Sequence, residues 1–322
     1  MNELQEIIAA FPMQTLLIVG DVMLDEYIWG DVRRISPEAP VPIVEIRRRS
    51  YVPGGAANVA ANAVALGARI LLGGVVGADP SAEQLRTVLQ QQCVGIDGMF
   101  VDASRPTTVK SRIVAHNQHV VRLDTEACDA LSVQLETSLL SWIDLQLATV
   151  NAVVISDYAK GVLSFGLTQR LIAMAHSIGC PVIADPKTNN FSKYQGATVI
   201  TPNQFEAEQA TGMSIHDESS LHSVGDKLLA NLKGSALLIT RAAQGMSLFV
   251  QGQIPVHIPT EARDVYDVTG AGDTALTTFA LAIAAGATLE QATCLANKAA
   301  GIVVGKVGTA TVTVRELMRH VV

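Results

Sequence analysis

The sequence predicts an α/β fold: a doubly wound, mostly parallel central sheet with helices on both faces, plus a small β-sheet lid. Three observations carry that expectation. Short β-branched runs alternate with helical patterns along most of the 322 residues. Charged residues make up 16% of the chain against a typical ~25%, while apolar residues reach 49%, as suits strands buried on both faces. Asp21, Asp157, Asp185, Asn203 and Thr240 each stand just past the end of an apolar run, the edge at which open α/β sheets bind ligands. Any one of the five is as readily a helix cap or a turn residue; five together are harder to explain that way.

Taken in order, residues 15–19 form a continuous apolar strand ending at Gly20-Asp21. Residues 28–52 break the rhythm, being rich in Arg, Pro and β-branched residues with alternation over 40–46. Residues 56–66 read as an Ala-rich helix closed by Gly67, followed by a strand over 70–76. Residues 107–124 read as a hairpin, with an alternating strand on each side of the polar turn Asn117-Gln118. Together with 28–52 this hairpin is expected to make a small separate sheet over the site.

Strands follow over 152–155, ending at Ser156-Asp157, and over 181–184, ending at Asp185-Pro186-Lys187, with a helix over 164–178 between them stopped by Gly179. Further strands cover 198–200, ending at Thr201-Pro202-Asn203, and 236–239, ending at Thr240-Arg241; a long helical stretch covers 275–285. No internal repeat, low-complexity tract or linker divides the chain. The expectation is one domain over 1–322 with lid segments at about 28–52 and 107–124.

Composition excludes several classes. A formal net charge of -7 argues against a general nucleic-acid binder, though not against a small basic pocket. The low charge and high apolar content exclude long disorder. Cys93, Cys128, Cys180 and Cys294 are far apart, with no CxxC and no Cys/His spacing suited to zinc, so free thiols in a reducing cytosol are expected. The N-terminus has no basic segment leading into an apolar one, and no run of ~20 apolar residues occurs. A soluble, cytoplasmic protein without membrane or nucleic-acid partners is expected.

Two glycine-rich strings carry chemistry. Asp267-Val268-Thr269-Gly270-Ala271-Gly272-Asp273-Thr274 opens the 275–285 helix. Its glycines let the backbone approach a ligand, and helix-start N–H groups with the helix dipole favour an anion. Asp273, in that first turn, makes a poor anion ligand but a good general base for a hydroxyl. An isolated GxGD would be read as an ordinary turn with a dipole-stabilising Asp; the eight-residue string is far more specific. Pro53-Gly54-Gly55-Ala56-Ala57-Asn58 is a second Gly-rich turn into a helix, with Asn58 offering a donor and an acceptor to a polyhydroxyl ligand. Neither string is a GxxxxGK[ST] loop or a GxGxxG dinucleotide fingerprint.

In this order and near these ends, the two strings resemble the signatures of the ribokinase-like (PfkB) carbohydrate kinases. Thr201-Pro202-Asn203-Gln204-Phe205-Glu206 is similar to that family's NxxE motif, and the resemblance covers essentially the whole chain. Four further segments are similar to the heptose 7-phosphate kinases of lipopolysaccharide precursor synthesis: residues 20–25, 35–42, 156–161 and Gly305-Lys306-Val307-Gly308-Thr309. Some members carry a nucleotidyltransferase domain after the kinase. This chain holds no HxGH, since His116-Asn117-Gln118-His119 is not one, and the stand-alone kinase form is expected.

The resemblance implies transfer of the ATP γ-phosphate to the anomeric hydroxyl of D-glycero-β-D-manno-heptose 7-phosphate. Asp273 is then the base, and the N–H groups of Gly270, Ala271 and Gly272 hold the transferring phosphoryl group. Glu206 orders Mg2+ through water. Asp21 is the expected acceptor for sugar hydroxyls, assisted by Gly54, Gly55 and Asn58, while Asp25 is a weaker candidate that caps or pairs on the surface. Lys110 and Arg112 alternate on one face of a strand and suit the substrate's phosphate. Arg33 and Arg34 rank at or below solvated strand charges, and Arg47-Arg48-Arg49 is read as a solvated run.

Asn203, Thr240, Gly245 and Asn297 match positions that line the family's ATP site, and Lys187 is placed to touch a phosphate. Asp157 and Lys160 read equally well as a strand-end salt pair. None of the seven histidines has ligand spacing, and none is given a catalytic role. A lid with exposed strand edges implies a homodimer. The alternatives are a kinase for another sugar, such as fructose or tagatose phosphate or ribose, and a non-catalytic nucleotide-binding protein of the same fold, which the presence of Asp273 disfavours. A nicotinamide dehydrogenase is disfavoured by the missing fingerprint.

Overall fold

The computed structural model describes residues 2–116, 118–188, 190–262, 265–306 and 308–321. The chain opens with a capped helix, α1 (Glu3–Ala9), and enters the main sheet through β1 (Thr15–Gly20). It then leaves that sheet at once. β2 (Val22–Ile35) and β3 (Pro42–Gly55) form a long antiparallel pair that returns directly into α2 (Ala56–Ala65). β4 (Arg69–Val76), α3 (Pro80–Gln91) and β5 (Gly98–Val101) continue the main sheet. β6 (Val109–Ala115) and β7 (Gln118–Thr125) rejoin β2 and β3.

From there the βα rhythm runs unbroken through α4 (Val133–Leu147), β8 (Ala152–Ser156), α5 (Phe165–Ser177), β9 (Val182–Asp185), β10 (Val199–Ile200), α6 (Gln204–Thr211), α7 (Glu218–Leu232) and β11 (Ala236–Thr240). The antiparallel strands β12 (Met246–Phe249) and β13 (Val256–Ile258) end the sheet. Three helices close the chain: α8 (Ala271–Ala284), α9 (Leu289–Val303) and α10 (Val314–Arg319).

The main sheet has nine strands in the order β13-β12-β11-β10-β9-β8-β1-β4-β5, parallel from β11 to β5. Its central strands are apolar throughout because both faces are covered. Leu16 and Ile18 of β1 pack into the layer that includes α2 and α8, whereas Leu17 and Val19 pack into the layer that includes α4 and α5. The second sheet has four strands in the order β3-β2-β6-β7, and β2 pairs with β6 in parallel. Both sheets meet the expectation.

The boundaries of the second sheet differ from those read off the sequence. It starts at Val22 rather than near residue 28, because Val22, Met23 and Leu24 are buried and look like any other core strand. Gly54 and Gly55 end a strand and are not a turn; Gly55, at φ 55°, is where β3 becomes α2. The hairpin at 107–124 is present as β6 and β7, with Asn117 of its turn outside the described residues. All four cysteines are free thiols, and no described helix is long and apolar enough to cross a membrane.

Candidate active site

α8 begins at Gly270, whose αL conformation (φ 80°) turns the chain into the helix axis. A Cβ there would come within 3.1 Å of Asn58 Nδ2 and of the Thr309 methyl. Asp273 is the third helical residue and is buried. Its Oδ2 accepts from Asn58 Nδ2 at 2.6 Å and its Oδ1 from the Tyr158 hydroxyl at 2.8 Å. Asn58 is steadied in turn by Asn62 and Thr274. Burial raises the Asp273 pKa to about 6, with the Asn58 and Tyr158 donors opposing the rise and the Asp25 charge adding to it.

Of the three backbone donors expected at this turn, Ala271 is not free: its N–H donates to Val268 O at 3.2 Å. Among the described residues the N–H groups of Gly270, Gly272 and Asp273 have no acceptor. Gly272 lines the cleft, and a Cβ there would meet no protein atom.

Tyr158 was not singled out by the sequence, because its role depends on a loop that only the fold positions. Asp21 builds that loop. Its Oδ2 accepts from the N–H groups of Tyr158 (2.8 Å) and Lys160 (3.1 Å), and its Oδ1 from Val162 (3.2 Å). With both oxygens engaged and the side chain buried, Asp21 holds the 158–162 loop and does not meet the expectation of a sugar-hydroxyl acceptor. Asp157 is likewise structural, bonded to Lys193, Tyr194 and the Ala159 N–H. The expected Asp157–Lys160 pair is absent: Lys160 pairs with Glu126 at 2.8 Å.

A second carboxylate stands four residues on, at Asp25. Its expected surface location is wrong, since it is 6% exposed, and its Oδ1 has no hydrogen-bond partner. Arg112 Nη1 lies 2.8 Å from that oxygen and balances its charge without hydrogen-bond geometry. Burial raises the Asp25 pKa, opposed by Arg112 and Lys110. Gly54 packs against this carboxylate from β3: a Cβ there would lie 3.0 Å from Asp25 Cγ and 3.2 Å from Oδ1.

The strand register places Lys110 opposite Asp25 and Arg112 opposite Tyr27, so the two cations share a face as expected. They are not equivalent. Arg112 is committed to Asp25 and stacks over the Tyr27 ring, whereas Lys110 has no ion-pair partner within 4.0 Å among the described residues. Burial lowers the Lys110 pKa, opposed by Asp124 across the strand. Arg33 is an exposed strand charge 3.9 Å from Asp31 and Glu45, and Arg34 is exposed too. The 47–49 run is exposed, as expected of a solvated run, and makes surface contacts: Arg47 pairs with Asp31, Arg48 stacks over Trp29, and Arg49 pairs with Glu26.

On the other side of Asp273 lies a cleft of about 160 Å3 lined by Tyr158, Asp185, Lys187, Asn203, Glu206 and Thr240, among others. Asn203 and Glu206 form a capping box at the start of α6, so the four-residue spacing has a structural reason of its own. The second oxygen of Glu206 pairs with Lys187 Nζ at 2.7 Å. Burial opposes the Lys187 charge, but Glu206 outweighs it and the pKa is raised. Asp185 is pushed well above the usual carboxylate range by burial, then by Glu206 and Asp273.

A partly buried carboxylate, Asp185, beside Glu206 and Asp273, with one lysine among them, is a donor set suited to a hard dication such as Mg2+. Among the described residues no three carboxylate atoms of the cleft fall within 4.8 Å of one another, which fits a cation held through water rather than caged by protein. Asp185, a strand-end residue in the sequence with no role expected of it, belongs to this group. Asn297 and Gly245, both expected at the nucleotide, do not line this cleft of about 160 Å3. Asn297 spends its amide on Pro259 O at 2.8 Å, and Gly245, at φ 82°, forms the turn between β11 and β12. Val307 of the 305–309 segment lies outside the described residues; its neighbour Gly308 donates to Asp267 Oδ2 at 3.1 Å.

Comparison with known proteins shows the family to which the chain belongs. The family model described as pfkB family carbohydrate kinase matches residues 13–316. The Bifunctional protein HldE of Geobacter metallireducens is 48% identical over 302 residues, covering 94% of this chain and 62% of that protein. Its counterpart in Geotalea uraniireducens is 46% identical over 305 residues, covering 95% and 62%. The chain thus spans less than two thirds of these relatives. Among solved structures, Arabidopsis thaliana ribokinase complexed with ribose and ATP superposes with a TM-score of 0.76 at 19% identity, covering 95% of this chain and 98% of that one. Escherichia coli phosphofructokinase-2 in complex with potassium gives 0.76 at 16%, covering 95% and 97%. The chain belongs to the pfkB family of carbohydrate kinases and is a sugar kinase.

Proposed function

We propose that this sugar kinase transfers the γ-phosphoryl group of ATP to the anomeric O1 hydroxyl of D-glycero-β-D-manno-heptose 7-phosphate. The products are the 1,7-bisphosphate and ADP, and the reaction lies on the route to ADP-heptose and the lipopolysaccharide core. The observation that carries the reading is the Asp273 carboxylate, buried at a helix start between two fixed donors with a pKa of about 6. Such a group is ionised at neutral pH yet basic enough to take a hydroxyl proton.

Asp25 orients the sugar by accepting from its hydroxyls, and Asn58 and Tyr158 aim Asp273 at O1. As the proton passes from O1 to Asp273, the O1–P bond forms and the bond from phosphorus to the ADP oxygen breaks. The Gly272 and Asp273 N–H groups face the transferring phosphoryl oxygens, where α8 adds its positive end. Lys187 lies towards the leaving phosphates. Asp185 and Glu206 would hold Mg2+ through water, and the ion would neutralise charge on those phosphates.

The choice of substrate within the family rests on three supports. Lys110 is a half-buried cation one strand from Asp25, as a phosphorylated sugar requires. The segment resemblances name the heptose, and the curated relatives are HldE proteins. ATP as donor places the reaction in the cytoplasm, and the two sheets are read as one kinase domain over 1–322. We further propose a homodimer through the second sheet. Its outer strands are β3 and β7, every described residue of β7 is exposed, and Ile46, Val121 and Leu123 stand in solvent. A monomeric mass at working concentration would overturn the dimer.

The test of substrate is a coupled ADP-release assay over a panel of sugar phosphates that includes the heptose. The expected result is a kcat/KM for heptose 7-phosphate well above that for fructose 6-phosphate and tagatose 6-phosphate. Equal or higher values for a hexose phosphate would overturn the substrate assignment while leaving the kinase intact.

A further inference from the structure

We propose that Glu218, His222 and His257 form a second metal site, for a transition-metal dication of the zinc class, at the edge of the main sheet away from Asp273. Glu218 and His222 stand one turn apart on the same face of α7, and His257 is the middle residue of the edge strand β13. The two His Nε2 atoms are 3.1 Å apart, and Glu218 Oε1 lies 3.9 Å from one and 3.8 Å from the other. Zinc ligands at about 2.0–2.1 Å in a tetrahedral array sit about 3.3 Å from each other. Three donors of the right kinds therefore already lie near the corners of one coordination face.

The imidazole pair has a stated chemistry. The ring planes are 13° apart with centroids at 5.3 Å, so with Nε2 atoms at 3.1 Å the rings meet head-on through those nitrogens. Two neutral rings in that position share a single proton, because two N–H groups would collide and two lone pairs would repel. A dication bound to both Nε2 atoms would take the place of this hydrogen bond, the donor ring carrying its proton on Nδ1 instead and the His222 ring turning so that the two lone pairs converge. His222 and Glu218 are exposed enough to swing towards it, while His257 is fixed from behind by Ser247 Oγ, 2.9 Å from its Nδ1. A hydrogen bond to the far ring nitrogen is the usual support of a metal-binding histidine. Ser247 also accepts from Arg241 Nη1 at 3.0 Å; that cation opposes a metal and Glu218 favours one.

Two imidazoles and one carboxylate favour Zn2+, Ni2+ or Cu2+ over Mg2+ or Ca2+. The bound ion would tie α7 to β13, an edge strand of the sheet, leaving a fourth position for water. Sequence spacing could not show this, since Glu218 and His222 are one helical turn apart while His257 comes from 35 residues further on.

The test titrates chelator-treated protein with Zn2+ and, separately, Co2+. One equivalent of Zn2+ is expected to bind and to raise Tm, and Co2+ is expected to show d–d bands without a thiolate charge-transfer band. His222→Gln and His257→Gln should each lose binding at least hundredfold, and the positioning variant Ser247→Ala about 10-fold. His222→Gln alters an exposed helix face, so it stays informative if His257→Gln folds poorly. The proposal is overturned by binding that survives the double His variant, by loss of binding on replacing exposed Cys93 and Cys128 with Ser, or by no binding at micromolar Zn2+.

Discussion

Replacing Asp273 by Asn separates the chemistry of the site from its architecture. The carboxamide is isosteric, its oxygen can accept from Asn58, and the Tyr158 hydroxyl can rotate to accept from its NH2 group. The pocket therefore stays assembled while the base is lost. General-base catalysis contributes about 10^2–10^4-fold, so kcat should fall by that factor, about 3–5 kcal/mol in the barrier. Stability should move the opposite way. Burial raises the Asp273 pKa from 3.8 to about 6, so the native state binds more protons than the unfolded state between those values. Native stability thus falls as pH rises through that window, and at pH 7.5 the ionised carboxylate costs on the order of 3 kcal/mol.

Asp273→Asn removes that cost, and a chain of this size should melt a few degrees higher. The assays are the ADP-release rate and a thermal melt at pH 7.5, with ATP binding by calorimetry expected to be unchanged. A variant within tenfold of wild-type kcat would refute the base. Joint loss of rate and Tm would refute the claim that Asp273 is a strained group held for chemistry.

Three further outcomes are expected. Tyr158→Phe removes a donor that holds the Asp273 pKa down, so the acidic limb of the kcat/KM profile should shift to higher pH with a several-fold loss of rate; an unmoved limb would remove Tyr158 from the site. Lys110→Met should raise KM for a sugar phosphate by about 10–100-fold, the worth of a charge-assisted hydrogen bond, with kcat nearly unchanged and little effect on an unphosphorylated sugar. Gly270→Ala forces a side chain into αL geometry at a cost of about 1–2 kcal/mol and presses on Asn58, so it should lower both Tm and kcat; a silent variant would show that the turn relaxes freely.

The main sheet was legible because its central strands are buried on both faces and so read as unbroken apolar runs bounded by polar stops. The second sheet was legible in kind but not in extent. Its β2–β6 pairing is parallel and joins distant segments, so no local turn announces it. The strand-end residues show what position alone can tell. Asp185, Asn203 and Thr240 line the cleft, while Asp21 and Asp157 spend their oxygens on the 158–162 loop and its supports. A carboxylate bonded to three N–H groups, as in Asp21, and one facing an arginine without a hydrogen bond, as in Asp25, look the same in sequence. For that reason Asp21 was favoured over Asp25, and Tyr158 was missed.

The route of the chain out of the main sheet and back has a mechanical meaning. β1 ends at Gly20, Asp21 anchors the loop that carries Tyr158, and the second sheet begins at Val22. That sheet returns at Gly55, three residues before Asn58. The two donors that steer Asp273 are thus mounted beside the two roots of the same β-ribbon. A ribbon rooted at both sides of the base acts as a yoke, so a tilt of its far end reaches Asn58 and the Tyr158 loop together and not one alone.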